Sequence, residues 1–275
     1  MRTLLCTDGS PDAAKAVRFG FQLVRDSRQP VELLGVVEKR AEVDAMRAGL
    51  DELGAELKTI GAQCETKVRH GHADEQILDE AEAWQADLIV IGQSGWRGLT
   101  RFLMGNTATR ILHYAPCSVL LYKGAGLAVQ SLLVCTAGGD PGLRDVNRAG
   151  HIALHAHAAV TVLHVMSQVP LSDKAYLPDL AATADDLMAR QTREGVHLQS
   201  ALDKLREIAP DSPHAVKVRH GFVVDEILAE LREGHYDLLV VGAHIAHGLN
   251  RWLLDDVTAH LLEEAATPVL VVRGA

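Results

Sequence analysis

The sequence predicts an α/β protein made of two tandem copies of an open parallel sheet with helices on both faces, and three observations carry that reading. Short apolar runs at residues 3–7, 31–37, 87–91 and 118–122 alternate with segments of helical periodicity, the pattern of parallel strands joined by crossover helices. After Gly124-Ala125-Gly126-Leu127-Ala128-Val129-Gln130 the series restarts, with Leu132-Leu133-Val134-Cys135-Thr136 echoing residues 3–7. Longer motifs also return: Val68-Arg69-His70-Gly71 as Val218-Arg219-His220-Gly221, and residues 87–92 as 237–242. The 275 residues therefore divide into domains 1–125 and 126–275.

In order, strand one ends at Asp8-Gly9-Ser10-Pro11, where Ser10 suits a helix N-cap and Pro11 the first helical position. Ala13, Val17, Phe21 and Val24 line one face of the helix that follows. Strand two spans 31–37. An amphipathic helix spans about 41–60, with Val43, Met46, Leu50, Leu53 and Leu57 as its stripe. Strand three begins at Cys64, helix three covers about 73–86, and strand four ends at Ile91. In the second copy the crossover 167–213 is longer and holds one helix near 185–208.

Hydrophobic residues make up 48% of the chain and charged residues 23%, a composition suited to a core-forming globule. A net charge of −9 with no basic run argues against nucleic-acid binding. No apolar segment reaches membrane-spanning length, and a strand starting at Thr3 leaves no room for a signal peptide. Cys6, Cys64, Cys117 and Cys135 lack metal or disulfide spacing and read as buried thiols of a reducing cytosol.

The stretch from Gly92 to Thr107 carries the chemistry. Strand four leads into Gly92-Gln93-Ser94-Gly95, and Gly105-Asn106-Thr107 opens a helix through Ala108, Ile111, Leu112 and Ala115. Glycines at a strand end allow close backbone approach, and free N–H groups at the next helix start face an anion. The pattern Gly-x2-Gly-x9-Gly is neither a Walker A loop nor the dinucleotide fingerprint. It resembles the nucleotide loop of the ATP-binding branch of the universal stress protein family, and the resemblance extends over the whole chain as two copies.

That resemblance implies flavodoxin-like, Rossmann-like five-stranded sheets of order 3-2-1-4-5, with strands 118–122 and 268–272 as the edges through which the halves meet. It implies ATP or AMP as ligand, Mg²⁺ accompanying ATP, and a homodimer of tandem chains. Carried over by position, Asp8 contacts the adenine side, the Val36 backbone takes the adenine edge and Gly92 lies against the ribose. Gly95, Gly105, Asn106 and Thr107 hold the phosphates. Asn106 departs from the usual serine but still offers a donor. The bland reading of Asp8 is a carboxylate that caps the following helix.

Comparison of the copies sharpens the assignment. Asp8 becomes Ala137, Gly92-Gln93-Ser94-Gly95 becomes Gly242-Ala243-His244-Ile245, and Gly105-Asn106-Thr107 becomes Asp255-Asp256-Val257. Acid and bulk replace the anion cradle, so domain 1 is read as nucleotide-competent and domain 2 as having lost its site. Gly98/Gly248 and Arg101/Arg251 persist in both and read as structural.

Histidine is uneven, three in the first domain against eleven in the second. His151, His155 and His157, or His244 and His247, have spacings a metal could use, but solvated histidines are the commoner outcome. Trp84, Trp96 and Trp252 read as packing residues. No general base stands near the loop. Three functions remain: a cytosolic nucleotide-responsive binding module of the stress response, a protein-interaction module without nucleotide, and a slow Mg²⁺-dependent ATPase.

Overall fold

The computed structural model describes residues 1–27, 29–93, 105–124, 126–167, 181–245, 252–253 and 256–274. They form two compact units, Met1–Val129 with Ala243–Ala275, and Gln130–Gly242. The first copy contributes β1 (Thr3–Thr7), α1 (Pro11–Gln22), β2 (Val31–Val37), α2 (Val43–Thr59), β3 (Cys64–His70), α3 (Ala73–Ala83), β4 (Leu88–Gly92), α4 (Asn106–Tyr114) and β5 (Ser118–Tyr122). The second contributes β6 (Ser131–Cys135), α5 (Gly139–Ala156), β7 (Ala159–Met166), α6 (Ala184–Ala189), α7 (Arg193–Ile208), β8 (His214–His220), α8 (Val223–Gly234) and β9 (Leu238–Gly242). It ends with β10 (His244–Ile245), β11 (Trp252–Leu253), α9 (Asp256–Glu264) and β12 (Val269–Val272).

In the first unit, β3, β2, β1, β4 and β5 lie side by side and parallel. β12, the fifth strand of the second copy, pairs antiparallel with β5, Leu270 opposite Leu120. The two edges named from the sequence thus meet in one ladder. In the second unit the order is β9, β6, β7, β8, again parallel.

Apolar runs explain the strands. Leu4, Leu5, Leu33, Leu34, Leu88 and Ile89 are wholly inaccessible, as expected where both sheet faces are covered. Gly20 lets α1 settle on the sheet, because a Cβ there would come within 2.7 Å of Val90 Cγ1. Ser10 caps α1 by accepting from the Ala13 N–H at 3.2 Å, with Pro11 at the first helical position.

Each copy buries the same charged knot. Glu80 on α3 accepts from Lys67 (2.7 Å) and Arg69 (2.5 Å) of β3. Glu230 on α8 accepts from Lys217 (2.6 Å) and Arg219 (2.9 Å) of β8. The arginine of the repeated motif and the lysine two residues before it therefore hold β3 to α3 and β8 to α8.

Around the β5–β12 ladder, Lys123 donates to the Leu262 and Ala265 carbonyls at the end of α9, and Arg273 donates to the Leu112 and Ala115 carbonyls at the end of α4. Cations belong at helix C-termini, where the last carbonyls lack intrahelical donors. Burial lowers the Lys123 pKa to about 8 and that of Arg273 to about 10.

One expectation fails locally. The single helix near 185–208 is two helices, α6 and α7, broken at Gln191 with φ 51°. Both starts are capped. Thr183 and Asp186 form a capping box, and Thr192 accepts from the Gly195 N–H at 3.0 Å. Gly195 packs on α6 so closely that a Cβ would lie 2.0 Å from the Leu187 oxygen.

Candidate functional site

The carboxyl ends of β1, β2 and β4 face the start of α4, and a cavity of about 810 Å³ opens beside them. Thr7, Asp8 and Gly9 supply one wall, Val36 and Val37 the next, and Met46, Gly49 and Leu50 of α2 the far side. A smaller space of about 70 Å³ shares Thr7, Asp8, Val36, Ala73 and Thr107 and reaches Gly92 and Ile111. The larger volume falls within the range of small-molecule sites.

Asp8 is exposed at the cavity wall, and its carboxylate accepts from the Ser10 N–H at 2.9 Å. This is a local turn of the kind Asp favours. The capping role falls to Ser10. Thr7 Oγ1 accepts from the Gly9 N–H at 3.0 Å, which tightens the same turn.

Gly92 lines the smaller space, but it has a packing reason as well. A Cβ would sit 3.3 Å from both Ala13 Cα and Ala16 Cβ, so α1 could not lie so near β4. Gly105 is the N-cap of α4, with extended backbone and no side-chain cap. Asn106 and Thr107 follow as exposed first-turn residues. N–H groups in a first turn have no intrahelical acceptor, so this end can receive an anion.

The structure brings Asp8, Val36, Gly92 and Thr107 around the paired cavities and sets Gly105 and Asn106 on the adjoining helix start. Gly95, Gly98 and Arg101 lie outside the described residues.

Sequence reasoning missed the α1–α2 side of the cavity. Arg18 and Glu56 form a bidentate pair at its rim, 2.6 and 2.7 Å. Met46 stands against Gly35, where a Cβ would come within 2.6 Å of its Cγ. At Gly49 a Cβ would meet nothing within 4 Å. A stripe of alternating apolar and small residues on α2 was the available signal.

At the corresponding place in the second unit the side chains are different. Thr136 Oγ1 accepts from the Gly138 N–H at 3.1 Å, as Thr7 does from Gly9, and His197 of α7 reaches that hydroxyl at 2.7 Å. His164 Nδ1 lies 2.9 Å from the Thr136 carbonyl oxygen. Asp145 is buried against Gly242, and burial pushes its carboxyl up to about 7 while Arg144 pulls the other way. Burial, and secondarily His164, lowers the His197 pKa.

Asp256 starts α9 and is exposed, whereas Asp255 and His247 lie outside the described residues. Among the described residues, no three His, Cys, Asp or Glu side chains are grouped to hold a metal ion. Among the same residues, no helix is long and apolar enough to cross a membrane.

Comparison with known proteins agrees with the doubled architecture. The family model described as "Universal stress protein family" matches residues 1–123 and again 129–273. The chain belongs to the universal stress protein family. A universal stress protein of Mycolicibacterium smegmatis is 26% identical over 239 residues, covering 86% of this chain and 76% of that one. One from Methanocaldococcus jannaschii is 28% identical over 138 residues, 44% of this chain and 81% of its own. The crystal structure of a universal stress protein from Archaeoglobus fulgidus superposes with a TM-score of 0.69 at 17% identity, over 99% of this chain and 98% of that one.

Proposed function

We propose that the first copy is an adenine-nucleotide-binding module of a cytosolic stress-response protein. The observation that carries this reading is the meeting of Thr7, Asp8, Val36 and Thr107 around one connected pair of cavities, beside an uncapped helix start. Its chemistry divides in two. The apolar α2 side and the strand edge at Val36 suit a flat base, with Asp8 accepting from an exocyclic or ribose donor. The α4 N-terminus suits phosphate, with Gly105, Asn106 and Thr107 as its donors and Gly92 leaving room for the sugar.

The cavity wall also carries Glu38, Glu42, Glu52 and Glu56, of which Glu56 is tied to Arg18. Carboxylates there disfavour a bare triphosphate, so ATP enters with Mg²⁺, and AMP, with less charge, is the simpler ligand. The functional readout is a partner surface that responds to occupancy.

The test is equilibrium binding of a fluorescent ATP analogue to the wild-type chain and to Ala73→Phe, which places a ring where the two cavities share a wall. Saturable binding that falls at least tenfold in the variant supports the reading. Equal binding to both proteins, or none to the wild type, refutes it. Mass spectrometry of small molecules released on denaturation distinguishes ATP from AMP.

A further inference from the structure

The two clefts have the same backbone plan, but three positions are exchanged between them. Strand register pairs Thr7 with Gly35, and it carries Cys135 opposite Leu163, so Thr136 falls beside His164 and Gly35 corresponds to His164. Counting from the ends of β1 and β6 along α1 and α5, Phe21 corresponds to Gly150. Leu50, Leu53 and Leu57 of α2 correspond to Leu198, Ala201 and Leu205 of α7, all buried, and this brings the helix ends Thr59 and Ile208 within one residue of each other. Gly49 then corresponds to His197.

These exchanges act together. Buried Phe21 on α1 stands where α5 has Gly150, and Gly150 admits Leu205 and Ile208 of α7 so closely that a Cβ would lie 3.2–3.3 Å from them. With α7 drawn in, the His197 ring passes over Gly142, where a Cβ would be 3.3 Å from Cε1 and Nε2, and ends on the Thr136 hydroxyl. In the first unit, the same place holds open space beside Gly49, on the wall of the cavity that Thr7 also lines.

We propose that the second cleft is a ligand site kept filled by the chain's own His197 imidazole, and that its ligand class is a small, flat, uncharged heterocycle with a ring nitrogen that hydrogen-bonds a hydroxyl. Packing and the hydrogen bond define the class. The ring passes over Gly142, and its Nε2 is 2.7 Å from a hydroxyl that can give or take the hydrogen. Burial, and after it His164, disfavours a cationic ring. The Thr192 cap and the close seating of Gly195 on Leu187 fix the start of α7, so the ring is held in place. The second cleft is a closed relative of the first, and this assignment does not depend on what the first cleft binds.

Cutting the ring away should expose a hole of its own shape, and free imidazole is the probe. In the full chain, His197→Gly should show a saturable rise in unfolding midpoint of about 3 °C with imidazole, while the wild type shows none. A folded variant that imidazole shifts no more than the wild type overturns the proposal. Should His197→Gly fail to fold, the reverse graft decides. In Gly49→His the new imidazole should reach Thr7 and titrate below the ordinary histidine range by NMR, and titration in the ordinary range overturns the equivalence. A first cleft that binds no nucleotide leaves both results standing, and a failed imidazole rescue leaves nucleotide binding in the first cleft untouched.

Discussion

In the first copy the helix after β2 packs on the sheet through Met46 and Leu50 but leaves about 810 Å³ beside Thr7, whereas in the second copy its counterpart α7 closes over Thr136 with a histidine. The strands beneath are alike, and so are the turns at Gly9 and Gly138 and the charged knots on β3 and β8. The difference lies in a few side chains on α1, β2 and α2. A duplicated sheet therefore keeps its fold through the strands and knots and changes its site by what the crossover helix presents. The same scaffold can offer an open cleft or a filled one without a change of topology.

The sharpest test of that division is to remove the knots. Truncating one partner of a buried ion pair strands the other charge and costs about 3–5 kcal/mol. Lys67 and Arg69 keep partial access to water, so Glu80→Ala should fall at the low end, about 3 kcal/mol by chemical denaturation. Arg219 has further partners in Glu226 (2.7 Å) and Glu233 (2.8 Å), so Glu230→Ala should cost less, about 2 kcal/mol. Equal losses would mean that stranding the Tyr236 hydroxyl, which donates to Glu230 at 2.8 Å, offsets the relief from the extra carboxylates. Neither change should alter the clefts.

A second contrast concerns what lies behind the knots. Glu32 in β2 is buried, with one carboxylate oxygen lacking any hydrogen-bond partner, and Thr161 holds the matching position in β7. Burial, and after it the charge on Glu80, pushes the Glu32 pKa to about 7. The folded chain therefore holds this proton more firmly than the unfolded chain does. Its contribution is largest below the unfolded value near 4.5 and is lost as pH rises through about 7. Glu32→Gln removes the ionisation, so it should stabilise the protein above pH 7 by about 2 kcal/mol and change little near pH 4. Unfolding curves across that window decide it. Thr161→Ala has no such pH dependence to lose, and a pH-dependent change there would break the comparison.

Much of this plan was legible in the sequence. Apolar runs and repeated motifs are local signals, and they gave the strands, the duplication, the cap at Ser10 and the edges that become β5 and β12. Asp8, Val36, Gly92 and Thr107 could be grouped because all lie at strand ends or at a helix start. The closure of the second cleft was harder to read. The exchange of Asn106 for Asp256 was legible, and Asp256 opens α9 in an exposed position as Asn106 opens α4. The contact of His197 with Thr136 was not legible. His197 sits in a crossover longer than its counterpart, so matching it to Gly49 requires the packed register of α2 and α7. The α6–α7 break had a signal in Thr183 and Thr192, each placed to cap a helix, but periodicity alone ran through it.

The smallest expected effect bears most directly on the open cleft. Gly49 lies inside α2, where glycine is less favourable than alanine by about 0.8–1.0 kcal/mol. Gly54, on the same helix, has a packing reason, since a Cβ would lie 3.1 Å from Thr66 Cγ2. Gly49 has none, because its Cβ would point into open space. Gly49→Ala should therefore stabilise the chain by about 0.7 kcal/mol in urea, from helix preference and a less free unfolded chain. Gly35→Ala should destabilise it, because a Cβ there collides with Met46 at 2.6 Å. Opposite signs at these two glycines separate a glycine kept for close packing from one that leaves a wall open. If Gly49→Ala were destabilising, α2 would be packed at that position, and the first cleft would be no more open there than the second.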